Sequence, residues 1–224
     1  MELQSWAGSA NLETQAGKLL QKLAAAVPQD KPITITVFGS APLQILIDST
    51  LTSADVDVFS EVNELREVVQ AAGLTSENSP FYIEVCSELN FRTSPRWRIR
   101  TQSIRIGACT FILPHPIDIL ISKLNRLEDK DIEAFRLVLA KTGHPTENEL
   151  IEELRMAVDL FRPAFDEEQA HDMAGNCRRL WPLIYKREID PRAEIIAPAL
   201  ALRKAGYGEP STDHKQELRD ALKQ

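Results

Sequence analysis

Asp55 and Asp57 stand one residue apart in the run Asp55-Val56-Asp57-Val58, and Gly39-Ser40 precedes them after the hydrophobic run from Ile33 to Phe38. Residues i and i+2 of a strand share a face. A strand over 55–59 therefore turns both carboxylates to one side and sends Val56 and Val58 to the other, into a core. Adjacent carboxylates repel unless a positive charge sits between them, and Mg²⁺ takes that place when a phosphate is the substrate. A Gly-Ser turn that opens a helix offers backbone N–H groups and a hydroxyl to a phosphate. The combination suits a nucleoside triphosphate with its metal. The competing reading is a solvent-facing strand with two ordinary aspartates. Asp is depleted in strands, and the Gly-Ser turn upstream favours the metal reading.

Other stretches add candidates. On one continuous helix at about 100° per residue, Leu120, Leu124, Leu127, Phe135 and Val138 form a stripe, with Asp131 inside it and Asp129 opposite. An acid within an apolar stripe is costly unless paired or bound. Lys123 lies at the stripe's edge, where its stem is buried and its ammonium reaches a cleft. Lys123 on a phosphate, with Asp131 beside the site, is one reading. A buried Asp–Lys or Asp–Arg pair tying helices together is the other. Arg126, Lys130 and Glu133 read as solvated. A strand over 81–86 offers Glu84 as a third carboxylate, with Glu88 further along and less central; an exposed edge residue is the alternative for Glu84. Arg92, Arg96, Arg98, Arg100 and Arg105 occupy an acid-free stretch with Trp97. They suit a nucleotide or RNA backbone, with a base stacked on Trp97. Pairing with acidic helices over 147–153 and 166–168 is the favoured reading. His115, His144, His171 and His214 show no metal-ligand spacing.

These residues need elements to hold them. Hydrophobic spacing predicts a helix over 14–27, a strand over 33–38, a short helix over 42–48 and a strand over 55–59. A helix over 61–72 stops at Gly73, and a strand over 81–86 and two more within 96–112 follow. Beyond Pro114 and Pro116 the pattern is helical over 117–141, 146–161, 167–185 and 191–205, and the polar end reads as frayed. The fold class is α/β (α+β): a small mixed sheet with flanking helices, then a helical C-terminal lobe. Residues 1–115 form the α/β core, and 116–224 complete a cleft. The 224 residues, 43% hydrophobic, suffice for one large domain or two small ones. A net charge of −7 and a pI of about 5.2 argue against nucleic-acid binding through overall charge. Three dispersed cysteines without a CxxC suit free thiols in a reducing cytoplasm. The N-terminal run has neither the basic nor the apolar region of a signal peptide. No apolar run approaches the ~18 residues of a membrane span. A soluble, cytoplasmic protein is expected.

The chain resembles the nucleotidyltransferase superfamily of polymerase-β-like fold, and within it the AbiEii-type branch, which includes bacterial toxin-like nucleotidyltransferases. One matching block runs from Phe38-Gly39-Ser40 to Thr52-Ser53-Ala54-Asp55-Val56-Asp57-Val58. The other runs from Leu113-Pro114 through Asp118, Lys123 and Arg126 to Asp129-Lys130-Asp131. The resemblance implies that Gly39 and Ser40 hold a triphosphate and that Asp55 and Asp57 bind Mg²⁺. It also implies that Lys123 contacts phosphate and Asp131 supports the site. The family's third carboxylate has no clear motif here, so Glu84 rests on the strand pattern alone. The implied activity moves an NMP from an NTP to an acceptor hydroxyl on tRNA, protein or a small molecule, with an antitoxin-like protein as a partner in the toxin case. The alternative is a catalytically inactive nucleotide- or partner-binding module on the same fold. A metal-dependent nuclease fits less well, because a nuclease need not grip a triphosphate.

Overall fold

The computed structural model describes residues 6–162 and 172–207. Its five strands are β1 (Ile33–Phe38), β2 (Asp55–Phe59), β3 (Tyr82–Val85), β4 (Gln102–Ile106) and β5 (Cys109–Leu113). They form one mixed sheet in the order β3-β2-β1-β5-β4. β1 runs antiparallel to β2 and parallel to β5. β2 and β3 are parallel, while β4 and β5 are antiparallel. The mixed sheet with flanking helices is the fold class expected from the sequence.

The two faces of this sheet have opposite chemistry. Ile33, Ile35 and Val37 of β1, Val56 and Val58 of β2 and Phe111 of β5 are buried on one face. The helices α1 (Gln15–Ala26), α2 (Ala41–Leu46) and α3 (Leu65–Ala71) cover that face through Leu19, Leu20, Leu23, Ile45, Leu65 and Val69. The Thr14 hydroxyl caps α1 by accepting from the Gly17 N–H at 3.0 Å. Gln44 Oε1 accepts from the Ala16 N–H at 2.7 Å and ties α2 to the start of α1. The intervening residues of β1 and β2, Thr34, Thr36, Asp55 and Asp57, point the other way and are more accessible. A second apolar core gathers Leu120, Leu124, Phe135, Leu150, Leu154, Leu180 and Trp181. These residues come from α4 (Pro116–Arg126), α5 (Asp129–Thr142), α6 (Glu147–Met156) and α7 (Met173–Ile184), and α8 (Ala197–Tyr207) follows. No described helix is long and apolar enough to cross a membrane.

The helix expected over 146–161 stops at Met156, ahead of a 3-10 turn over Val158–Phe161, and two further stretches depart from the expected elements. Residues 97–100, expected in a strand, form a 3-10 turn. Arg100 is drawn inward there: its Nε and Nη2 donate to Asp118 at 2.6 and 2.5 Å, and its Nη1 lies 2.7 Å from Glu153. A buried bidentate ion pair outweighs the weak strand preference of four residues. The helix expected over 117–141 is two helices broken at Leu127, whose φ is +44°. The Leu127 side chain stays 1% exposed, and its carbonyl accepts from Arg179 Nη1 at 2.9 Å. The expected helix start at 167–171 lies outside the described residues.

Phe111, midway along β5, is fully buried. Phe111→Ala is expected to lower the unfolding free energy by about 3–5 kcal/mol, read as a lower urea midpoint with an unchanged slope.

Candidate active site

β1 ends in a turn that only glycine fits. Gly39 has φ +68°, and a Cβ placed there would lie 2.1 Å from Asp57 Oδ2. The left-handed backbone and the missing side chain let the turn close onto the β2 carboxylate. Ser40 follows at the N-cap position of α2, but its hydroxyl caps nothing. Instead it accepts from Lys123 Nζ at 2.9 Å.

The strand register assembles the acidic side. Asp57 is flanked by Phe38 on β1 and Glu84 on β3, and Asp55 is level with Tyr82. Ligand atoms of Asp57, Glu84 and Cys86 all lie within 4.8 Å of one another. Cys86 Sγ donates to Asp57 Oδ1 at 3.6 Å, and Ser53 Oγ donates to Asp55 Oδ1. Burial, then the charge of Asp55, pushes the Asp57 carboxyl up to about 6; Glu84 adds to this, while the Cys86 bond and Arg126 oppose it. Burial, then the Asp57 and Glu84 charges, pushes the Cys86 thiol up to about 12. The thiol therefore remains a proton donor rather than a thiolate.

The basic side comes from α4. Lys123 is 6% exposed, and its ammonium reaches both Ser40 and Asp131 Oδ1, each at 2.9 Å. Asp131 is fully buried at the start of α5. It also accepts from Arg126 Nε at 3.2 Å and from the Glu128 N–H at 3.0 Å. Burial alone would raise its pKa, but Lys123 and Arg126 outweigh this and hold the carboxyl below its ordinary value.

These two sides face one another across a cleft of about 650 Å³. Gly39, Asp55, Asp57, Glu84 and Lys123 all line it. Ser40 and Asp131 are not among its walls, and both touch Lys123 from behind. Arg126, expected in solvent, lines the cleft, as do Cys86, Arg92 and Asn125. Cys86 shares the Glu84 side of β3 by period-2 spacing, a signal available in the sequence. Arg126 falls one turn after Lys123 on α4, but its place in the cleft depends on how that helix docks.

Most of the arginine stretch is spent on protein carboxylates. Arg100 and Arg96 pair with Glu153, and Arg98 pairs with Glu88. Trp97 is 8% exposed, with Arg98 lying 4.6 Å over its ring, so it offers no open face to a base. The pairing with acidic helices holds for Glu153, whereas 166–168 lie outside the described residues. Of the five arginines, Arg92 alone reaches the cleft.

A family model described as "Nucleotidyltransferase of unknown function (DUF6036)" matches residues 17–177. The chain belongs to this family. The matched span starts in α1, ends in α7 and contains every strand and every cleft residue named above. No curated protein and no solved structure matches the chain.

Nucleotidyltransferases generally use divalent metals, and the donor set here suits a hard cation. Asp57 and Glu84 supply carboxylate oxygens, the ligand type Mg²⁺ prefers, to a cluster completed by Cys86, and Asp55 is not part of that cluster. Burial first, then the Asp55 and Glu84 charges, disfavours the Asp57 carboxylate, a cost that a nearby cation would lower.

Asp131→Ala strips Lys123 of its buried counter-charge and is expected to cost about 3–5 kcal/mol, measured by urea unfolding at pH 7. A carboxyl held below its unfolded value stabilises above that value and loses the effect as pH falls through the folded one. The gap between wild type and variant is therefore full at neutral pH and closes below about pH 4, the ordinary Asp value.

Proposed function

We propose that the protein is a Mg²⁺-dependent nucleotidyltransferase that moves an NMP from an NTP to an acceptor hydroxyl. The observation that carries this reading is the meeting, in one cleft, of three carboxylates from adjacent strands with the Gly39 turn and Lys123. Family membership supports the reaction class.

In this reading Asp55 and Asp57 hold the metal. When bound, Mg²⁺ offsets the triphosphate charge and polarises the α-phosphoryl group. The Gly39 turn and Lys123 grip the phosphates beyond it, with the Ser40 hydroxyl holding the Lys123 ammonium from outside the cleft. The acceptor oxygen bonds to the α-phosphorus in line while the α-phosphorus–pyrophosphate oxygen bond breaks. Glu84, the most accessible of the three acids, takes the acceptor's proton. Pyrophosphate leaves with the bond electrons, and Lys123 offsets its charge. Asp131 does not meet the substrate; it keeps the Lys123 ammonium in place.

Asp57→Asn removes one charge from a crowded set. It is expected to lower NMP transfer by on the order of 10²–10³-fold or more while leaving the melting temperature unchanged or raised. Calorimetric titration of the four NTPs with Mg²⁺ tests the binding half directly. Binding is expected in wild type and lost in the Asp55→Ala/Asp57→Ala double variant. Equal binding by the double variant would remove the metal site from these residues.

A further inference from the structure

One cleft-lining side chain takes no part in the chemistry above. Asn125 is 4% exposed, and its Oδ1 is buried without a hydrogen-bond partner. A buried polar atom left unmated is costly, and native structures pair nearly all of them. Rigid surroundings hold this one in place. The Asn176 amide donates to the backbone carbonyls of Leu124 and Asn125 at 3.0 and 3.1 Å, anchoring the last turn of α4 to α7.

The position on the helix separates Asn125 from the phosphate grip. Two residues along an α-helix are about 160° apart around its axis by the shorter way. Lys123 and Asn125 nevertheless both line the cleft, with Ile119, Ser122 and Arg126 between them on the helix surface. A ligand touching both must cross the width of the helix face, about 10 Å. Ser122 and Asn125 make the far edge neutral and polar, unlike the cationic edge at Lys123. A triphosphate presents only acceptors and gives the unpartnered Oδ1 no donor. A nucleoside does, because its ribose hydroxyls and base edges present donors beside acceptors, and an amide answers both.

Resting on the nucleotidyltransferase reading, we infer that Asn125 binds the nucleoside end of the NTP and sets its position relative to Asp55 and Asp57. Asn125 is thus a positioning residue for the sugar or base and has no part in gripping phosphate.

Calorimetry with Mg²⁺ separates these roles, using ATP, GTP, CTP, UTP and inorganic tripolyphosphate as probes. Asn125→Ala is expected to weaken NTP binding about tenfold, the effect of one or two hydrogen bonds, and to leave tripolyphosphate binding unchanged. Lys123→Ala is expected to weaken both. Asn125→Leu, which keeps about the same shape without a polar atom or a charge, is the second variant should the alanine form fail to fold, with the same expected outcomes and the melting temperature as the check. A loss confined to some of the four NTPs identifies the base as the partner. An equal loss for all four that is absent with 2′-deoxy-NTPs identifies the ribose hydroxyl. Unchanged NTP affinity, or equal losses for NTP and tripolyphosphate, would overturn the inference. Failure of wild type to bind any NTP would instead overturn the nucleotidyltransferase reading, and the inference with it.

Discussion

Like charges on neighbouring strands repel, and the open face of this sheet holds three carboxylates close together. The parallel register of β2 and β3 sets Asp57 beside Glu84, and the two-residue period sets Asp55 on the same side. Nothing in the strands themselves relieves this. Relief comes from the Cys86 thiol and from Arg126, while Gly39, lacking a side chain, leaves room for the Asp57 carboxylate. Burial acts in the same direction as the repulsion and is the larger cause of the raised Asp57. In the proposed reading, negative charge facing the Gly39 turn suits a cation together with an anionic substrate.

The same constraint explains the helix break. A straight helix through 117–141 would leave the Glu128 N–H to the helical ladder and carry Asp131 further along the same axis. The left-handed turn at Leu127 restarts the helix, and the Asp131 carboxylate caps the new start while receiving Lys123 and Arg126. A non-glycine left-handed residue costs roughly 1–2 kcal/mol. The buried Leu127 side chain and the Arg179 bond to its carbonyl offset that cost. The two cations that face the acidic strands are thus held by one buried acid. Loss of that acid would disturb fold and site together.

The arginine stretch shows a different use of charge. Arg100 reaches two buried acids on α4 and α6 and fastens the segment after β3 onto the helices. This anchoring forms one wall of the cleft, since Leu89, Asn90 and Arg92 lie just upstream in the same segment. A run of positive residues in the sequence thereby becomes mostly internal structure, with one guanidinium left at the cleft.

Much of this was legible in the residues themselves. Period-2 alternation placed β1 and β2 and the shared face of Asp55 and Asp57, because strand geometry leaves no other arrangement. The Gly-Ser turn after a buried strand, and an acid within an apolar stripe, pointed to Gly39, Lys123 and Asp131 through local rules of backbone freedom and burial. Those rules act within a turn or two of chain, so they stop where distant elements meet. Only the tertiary structure decided that Glu84 stands beside Asp57 and that Cys86 donates to it, because strand pairing across 29 residues sets that register. It alone decided that residues 97–100 abandon strand geometry, since the acids that capture Arg100 lie on helices still to come in the chain. The docking of α4 against the sheet likewise placed Arg126 and Asn125 in the cleft, a matter of packing that no spacing along one helix expresses.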